Sequence, residues 1–257
     1  MRAAIILSGL GLLAGVVWLG VAPEDDTDHL LISEIVAAPL DGGGAAAFLK
    51  IENRGAPDRL IGVESRVAEA TLYSPEDNIG PPVPVGASAL APDSAHIRLQ
   101  GPLETFRDGA LIPLTLTFAN AGKITTKAKV TDPKGQGRAE EVGLFGIGEI
   151  CIVGDGEPAP TIELSVTSQG DGWRLLIETE EFTFSEDFVG LYHVPGMGHG
   201  HLYVGGMKMG RLYAAEAYIG ALPKGQHEIR VTLNTNDHRA YVVDDIPVTA
   251  KATIEVE

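Results

Sequence analysis

The chain has 257 residues, enough for two domains of about 100 residues each. Its 35 acidic residues outnumber its 19 basic ones and give a net charge of −16, which argues against a nucleic-acid partner because such partners require a basic surface. A single cysteine excludes an internal disulfide and a cysteine-rich zinc module. The 32 glycines, the 16 prolines and many Val, Ile and Thr runs predict an all-β fold of short strands and turns.

The N-terminal segment, residues 1–28, is predicted to direct export. Arg2 precedes an uncharged run of 20 residues, 3–22, and three acidic residues, 24–26, follow it. A run of this length spans a bilayer core of ~30 Å as a helix. The positive residue before it and the acidic residues after it place the rest of the chain on the periplasmic side of the cytoplasmic membrane. The segment is either retained as a membrane anchor or cleaved, which would leave a soluble periplasmic protein.

Residues 29–132 are predicted to form the first domain. Alternating apolar and polar residues predict four of its strands, at Ala46–Ile51, Leu60–Val63, Leu111–Phe118 and Lys123–Val130. A polar, turn-rich stretch then marks the domain edge. Residues 133–160 are predicted to be a linker whose apolar stretch around Cys151 docks on a domain, with the thiol buried as a small hydrophobic group.

Residues 161–257 are predicted to form a second small β-sandwich, rich in histidine. Its strand patterns fall at Ile162–Val166, Trp173–Ile177, His199–Val204 and His227–Leu233. The dipeptide Gly205-Gly206 is a strong signal for a two-residue hairpin turn.

Three of the seven histidines and three of the four methionines lie within residues 193–209. Imidazole and thioether are neutral ligands that suit copper, whereas calcium and magnesium prefer oxygen. Strand alternation places His199, His201 and Tyr203 on one face, and we expect this face to point outward. Two imidazoles at positions i and i+2 of one strand face make a ready pair of ligands.

The hairpin register separates the methionines from the histidines. It pairs Val204 with Met207 and Leu202 with Met209, so both methionines are expected in the core. The loop before the strand adds His193 and Met197 as candidate ligands. A polar loop, Asn234–His238, follows the strand His227–Leu233 and is expected to bring His238 to the pair, whereas His227 is in phase with apolar residues and is interpreted as structural. Two alternatives remain for the outward pair: solvated surface histidines, or catalytic acid–base groups, although no nucleophile accompanies them.

The second half resembles a small β domain that is appended to periplasmic copper proteins. The resemblance rests on Gly198–Val204, Gly210–Tyr213 and Val231–His238.

The first half resembles the PCu(A)C family of periplasmic copper chaperones. The matching stretches are Ala47–Gly55, Asp58–Val63, Val67-Ala68, Ala95–Leu99 and Pro113–Phe118. The resemblance implies a cupredoxin-like β-sandwich that binds Cu(I) and delivers it, for example to cytochrome oxidase assembly.

The first half departs from the family at the copper ligands, which are two histidines and two methionines. Tyr73 stands in the place of the first histidine, the loop Asn78–Gly86 contains no methionine, and the His-x-Met motif reads His96-Ile97-Arg98. Only His96 survives, either as a ligand or as a surface residue, and one neutral donor is too few for a soft Cu(I) ion.

The sequence therefore predicts an extracytoplasmic copper-binding protein, a chaperone or carrier and not an enzyme. Copper, as Cu(I) or Cu(II), is its expected ligand, and an acceptor such as an oxidase subunit is its expected partner. The alternative is a metal-free scaffold that docks a membrane oxidase or another chaperone. The predicted metal ligands are His199, His201, His238, His193, Met197 and His96.

Overall fold

The computed structural model describes residues 29–40, 42–76, 79–131 and 150–257. The predicted export segment and residues 132–149 of the domain edge and linker lie outside the described residues. Within the described ranges, no helix combines the length and the apolar character that a membrane crossing requires.

The first half consists of nine strands over its described residues and a short 3-10 helix at Leu103–Phe106. The strands are β1 (Leu30–Pro39), β2 (Ala45–Asn53), β3 (Asp58–Glu64), β4 (Glu69–Tyr73), β5 (Pro82–Val83), β6 (Gly86–Leu90), β7 (His96–Gln100), β8 (Leu111–Phe118) and β9 (Gly122–Val130).

These strands form two layers. In one layer, β2 pairs with β1 along one edge and with β6 and β7 along the other, and β4 extends β7. In the other layer β3, β8 and β9 pair in antiparallel fashion, and β1 joins the layers by pairing in parallel with β9 after a bulge. Alternate residues of each strand fill the space between the layers with a core that includes Leu49, Ile51, Leu60, Ile97, Leu114 and Phe118. The predicted cupredoxin-like sandwich is confirmed.

The described part of the second half, from residue 150, contains eleven strands. They are β10 (Ile150–Ile152), β11 (Thr161–Gln169), β12 (Gly172–Glu180), β13 (Thr183–Phe184), β14 (Met197–Val204), β15 (Met207–Leu212), β16 (Glu216–Ile219), β17 (Gly225–Thr235), β18 (Ala240–Val243), β19 (Ile246–Pro247) and β20 (Thr249–Val256).

The second half is also a sandwich, as predicted. A three-stranded sheet of β11, β12 and β16 packs against a layer in which β14 pairs with β15 and β17, and β17 pairs with β20. Leu175 and Ile177 from the first sheet meet Leu202, Val204 and Val231 from the second layer in a common core. The apolar stretch of the predicted linker docks here, because β10 pairs in parallel with β18 and buries Cys151 beside Tyr241.

The hairpin between β14 and β15 joins the two halves. Gly205 and Gly206 have φ values of 52° and 79°, as a turn that matches the strand twist requires. A side chain at Gly206 would come within 2.8 Å of Ser74 Oγ, so glycine lets the turn approach the first domain. The Gly206 carbonyl accepts from Ala95 N at 2.7 Å, and its N–H donates to Glu76 Oε2 at 2.9 Å.

The register of this hairpin differs from the prediction at one pair. Val204 pairs with Met207 as expected, but a bulge between Leu202 and Tyr203 pairs Leu202 with Gly210 instead of Met209. Met207 is fully buried in the core of the first domain. Met209 is partly buried and packs against the cores of both halves. Both methionines are therefore packing residues, and they pack at the interface between the domains.

Candidate metal centre

Strand β14 carries the candidate site. His199, His201 and Tyr203 share one face of the strand as predicted, but they are only 0%, 6% and 3% exposed. The prediction that this face points to solvent is therefore wrong. A loop of the first domain reaches the face, since Tyr203 donates a hydrogen bond to Asp93 at 2.7 Å, and His238 lies over His199.

The two strand histidines are in direct contact. Nε2 of His199 lies 3.0 Å from Nε2 of His201. The loop between β17 and β18 brings His238 beside them, with its ring centroid 4.9 Å from that of His199. The backbone of His238 has a φ of 68°, in the left-handed region where His, Asn and Asp are enriched among side-chain-bearing residues. The structure thus assembles His199, His201 and His238, as the sequence predicted.

Asp93 holds the other side of His201. Its Oδ2 lies 3.1 Å from Nδ1 of His201 and accepts hydrogen bonds from Tyr203 at 2.7 Å and from Lys208 at 2.6 Å. Lys208 lies closer to Asp93 than to His201, whose Nδ1 is 3.4 Å from Nζ. Because a carboxylate only accepts, Nδ1 of a neutral His201 carries the proton and Nε2 presents its lone pair to His199.

The three imidazoles are neutral at neutral pH. Burial, reinforced by the neighbouring histidines and by Arg211, lowers the pKa of His199 to about 2. Burial followed by the charge of Lys208 lowers the pKa of His201 to about 4. Burial followed by the charge of Arg211 lowers the pKa of His238 to about 4. Neutral imidazole is the form that binds a metal ion.

Asp93 is ionised in the same environment. Burial raises the pKa of its carboxyl, but the hydrogen bond from His201 and the charge of Lys208 outweigh burial and hold that pKa well below its usual range. The site therefore pairs buried, neutral nitrogen donors with one negative charge behind them, on a carboxylate that is partly open to solvent.

Two buried polar atoms on facing residues of the cluster have no hydrogen-bond partner within the described part of the chain. They are Nδ1 of His199 and Oδ1 of Asn234. Asn234 pairs with His199 across β14 and β17, so the two side chains share one face. Buried polar atoms are nearly always partnered in folded proteins, and this pair fits a bound ion or polar ligand.

The cluster is not a finished coordination sphere. Among the described residues, no group of three or more His, Cys, Asp or Glu side chains is already arranged to hold a metal ion. The Nε2 atoms of His199 and His201 are close enough to bind one ion, since neighbouring ligands at metal–nitrogen distances of about 2.0–2.1 Å lie roughly 3 Å apart. A third donor requires side-chain rotation.

The two remaining candidates of the second half lie in different places. Met197 is the first residue of β14, and its position two residues before His199 puts it on the same strand face. His193 is not brought to the cluster by any contact in the described structure: its Nε2 lies 3.9 Å from Sγ of Cys151 and 4.0 Å from Oε2 of Glu157. Burial raises the pKa of the Cys151 thiol, which keeps this cysteine protonated and a poor ligand.

The first domain brings together the residues that replace the family's copper ligands. Tyr73 pairs with His96 across β4 and β7, and their ring centroids lie 4.7 Å apart. The guanidinium of Arg98 lies 3.9 Å from the centroid of the Tyr73 ring, and Nδ1 of His96 lies 2.9 Å from the carbonyl of Ser94. A fixed positive charge therefore stands beside the one surviving histidine, and it opposes binding of a cation.

Asp93 is the residue of this cluster that the sequence did not predict. Its hydrogen bonds to Tyr203 and Lys208 span 110 and 115 residues. No local pattern marks an aspartate in a turn as the partner of a distant strand. The only sequence signal is its position three residues before His96, at the border of the resemblance to the PCu(A)C family.

The comparisons with known proteins concern mainly the first domain. Residues 31–130 match a family described as putative lipoprotein LpqE-like. The copper-bound PCuAC domain from PmoF2 is 27% identical, with 41% of this chain and 94% of that chain covered and a TM-score of 0.36. The apo PCuAC domain from PmoF1 is 26% identical, with coverages of 41% and 95% and a TM-score of 0.36.

A third solved structure spans both halves. The N-terminal periplasmic domain of ScsB from Proteus mirabilis covers 92% of this chain and 97% of its own, at 10% identity and a TM-score of 0.27, and a likeness of this size says nothing about function. No curated protein matches the chain. The LpqE-like match covers nearly the same residues as the predicted resemblance to the PCu(A)C family, and it ends at residue 130, before the histidine cluster.

Proposed function

We propose that this protein binds copper at His199, His201 and His238 and carries it outside the cytoplasm to an acceptor protein. The observation that carries the proposal is the buried pair of neutral imidazoles whose Nε2 atoms lie 3.0 Å apart. In the metal-free protein one proton is shared between these nitrogens, because the Nε2 of His201 presents a lone pair. If the single proton of neutral His199 moves from Nε2 to Nδ1, both Nε2 atoms present lone pairs and a metal ion gains two neutral ligands at once.

The donor set favours copper over the harder metals. Imidazole suits copper, and Met197 on the same strand face offers a thioether, which is a soft ligand typical of Cu(I). His238 is the third nitrogen donor and reaches the ion by rotation of its side chain. A site of this kind accepts both oxidation states of copper, which suits a carrier that passes the ion on. The proposed role is binding and transfer of the ion.

The first domain supports the same assignment. It is of the PCu(A)C type, and the PCuAC domain from PmoF2 has been solved with copper bound. The predicted export segment places the copper site on the periplasmic side of the cytoplasmic membrane, where a subunit of a membrane oxidase is the proposed acceptor.

Copper titration of the full-length protein tests the proposal. We expect one equivalent of Cu(I) or Cu(II), and we expect the double variant His199→Ala, His201→Ala to lose it. His96→Ala is the matched control because it removes a partly buried histidine outside the cluster, and it should bind as the unmodified protein does. An unchanged stoichiometry in the double variant would refute the site assignment.

Two milder variants define the remaining ligands. His238→Asn keeps a residue that tolerates the left-handed backbone at this position, and it should weaken binding of both oxidation states. Met197→Leu removes only the sulfur, and it should weaken Cu(I) binding more than Cu(II) binding. Equal affinities for Met197→Leu and the unmodified protein would exclude the thioether from the site.

The second candidate function is a metal-free scaffold that docks a membrane oxidase or another chaperone. The packing of Arg98 on Tyr73 favours the scaffold function. The first domain keeps its fold, while the positively charged side chain of Arg98 occupies one of the family's copper-ligand positions. The same titration decides between the two functions, since a scaffold would bind no stoichiometric copper.

A further inference from the structure

The loop between β6 and β7 brings a first-domain carboxylate into the histidine cluster. Backbone hydrogen bonds tie this loop, residues 91–95, into a compact turn: Ser94 N donates to Ala91 O and Ala91 N donates to Ala95 O, each at 3.0 Å. The N–H of Ala95 then donates to Gly206 O at 2.7 Å. Asp93 therefore extends from a loop that is anchored both to its own domain and to the hairpin of the second domain.

Asp93 has three polar neighbours: two residues that donate to it and fix its position, and one histidine that it orients. Tyr203 and Lys208 donate to Oδ2 from the second domain. The Tyr203 ring is itself held by the guanidinium of Arg230, 3.9 Å from its centroid. With Oδ2 fixed in this way, its third neighbour, Nδ1 of His201 at 3.1 Å, faces a carboxylate acceptor. The Tyr203 hydroxyl lies 3.2 Å from the same nitrogen and donates its own proton to Asp93. The position of the carboxylate therefore favours this orientation of the His201 ring.

We propose that Asp93 is a positioning residue of the copper site, so that the first domain, whose own ligands are lost, completes the site of the second domain. Its carboxylate keeps the proton of His201 on Nδ1 and aims Nε2 at the place of the ion. Histidine ligands commonly donate their second N–H to a carboxylate, which fixes the tautomer and makes the ligand more basic. The part of this proposal that concerns copper rests on the function proposed above.

The arrangement links copper binding to the contact between the domains. Copper binds best when Asp93 is in place behind His201, and Asp93 is in place only when the domains are docked. By thermodynamic reciprocity, bound copper then strengthens the docking to the same extent. The carboxylate also offsets the charge of Lys208, which would otherwise repel the ion.

The experiment has one arm without metal and one with copper. In the metal-free full-length protein, nitrogen NMR of the imidazoles should show His201 protonated at Nδ1, and Asp93→Ala should shift it toward the Nε2–H tautomer. Asp93→Ala should also weaken copper binding about 10- to 100-fold, the usual effect of removing such a partner. Asp93→Asn keeps the volume of the side chain, and we expect a smaller change in the same direction.

Glu64→Gln is the control. Glu64 is another carboxylate of the first domain, and its ion pair with Lys123, at 3.3 Å, involves none of the residues that hold Asp93 or His201. The control should leave the His201 tautomer unchanged and the copper affinity within about twofold. Equal losses of affinity in the Asp93 and Glu64 variants, or an unchanged His201 tautomer in Asp93→Ala, would overturn the proposal. If the unmodified protein binds no copper, the proposed function fails, while the NMR arm still decides the role of Asp93.

Discussion

The surroundings of His96 in the first domain and of the histidine cluster in the second domain differ in charge. In the first domain, His96 is packed against Tyr73, and Arg98 brings a positive charge to the ring of that tyrosine. In the second domain, His199 and His201 face each other as neutral donors, with an ionised carboxylate behind them. A β-sandwich edge can hold either arrangement. If the proposed function holds, donor type and local charge, rather than the scaffold, decide whether such a place suits a metal ion.

The largest expected effect is the restoration of a copper site in the first domain. Tyr73→His together with Arg98→Met, made in the His199→Ala, His201→Ala background, adds two neutral donors to His96 and removes the opposing charge. We expect binding of one equivalent of Cu(I), measured by competition with a chromophoric chelator. Tyr73→Phe with Arg98→Leu is the control that removes the charge without adding donors. If both variants bind no copper, donor type and charge do not explain why the first domain lacks a copper site.

Acid should destabilise the metal-free protein through the second cluster. The folded pKa values are about 4 for His201 and His238, against an ordinary value of 6.5. Above about pH 6.5 these histidines are neutral in both states. Between there and pH 4 the unfolded chain binds more protons, so the free energy of unfolding falls by about 1.4 kcal/mol per pH unit for each histidine. Below pH 4 both histidines are protonated in the folded protein too, and the slope declines.

Urea unfolding at a series of pH values measures this effect. His238→Asn should show a shallower dependence on pH, because it removes one of the histidines that stay neutral in the folded state. A free energy of unfolding that does not change between neutrality and pH 4 would contradict the assignment of neutral, buried imidazoles.

Met207→Ala should destabilise the protein by about 2–5 kcal/mol, the usual range for truncating a fully buried methionine. Met207 belongs to the hairpin of the second domain but is buried in the core of the first, so we expect both halves to lose stability in urea unfolding. Met209→Ala is the control, and its cost should be smaller because Met209 is partly exposed. An equal loss of unfolding free energy in the two variants would contradict the special role of Met207 in linking the two domains.

The smallest expected effect concerns the charge around the second cluster. Arg211 lies opposite His201 in the pairing of β14 with β15, and its charge lowers the pKa of all three histidines. Arg211→Leu should therefore strengthen copper binding, by about tenfold or less for a partly screened charge. Arg174→Leu removes an exposed arginine of β12 and should leave the affinity unchanged. Weaker binding by Arg211→Leu would show that Arg211 orders the site instead of opposing the ion.

Much of the fold followed from local patterns. The alternation in Leu111–Phe118 predicts β8 with its observed bounds, because every second residue of that strand must reach the core. The Gly205-Gly206 turn was equally clear, since few other dipeptides adopt its backbone. The bulge after Leu202 was not predictable, because it depends on how the hairpin meets the first domain, and it moved Met209 out of its expected pair.

The sequence predicted which histidines come together, but it did not predict that they are buried or which side chains surround them. His199, His201 and His238 lie together as expected. The first two alternate on one strand, and the third lies in the loop that follows the neighbouring strand β17. His193 lies against Cys151 instead, because β10 docks beside β18 and carries the cysteine into reach of the loop. The contact of Asp93 with the cluster could not be predicted from local sequence, since its partners are more than a hundred residues away along the chain.

The amino-acid sequence alone determined the strand alternation that puts His199 and His201 on one face, the turn that follows them and the replacement of the family's ligands by Tyr73 and Arg98. These are properties of residue type and of neighbours along the chain. Only the tertiary structure decided that the histidine face is covered, that the imidazoles are therefore neutral and that Asp93 lies beside His201. The physical reason is that burial and hydrogen-bond partners depend on which surfaces meet when the two domains pack, and strand periodicity carries no information about that contact.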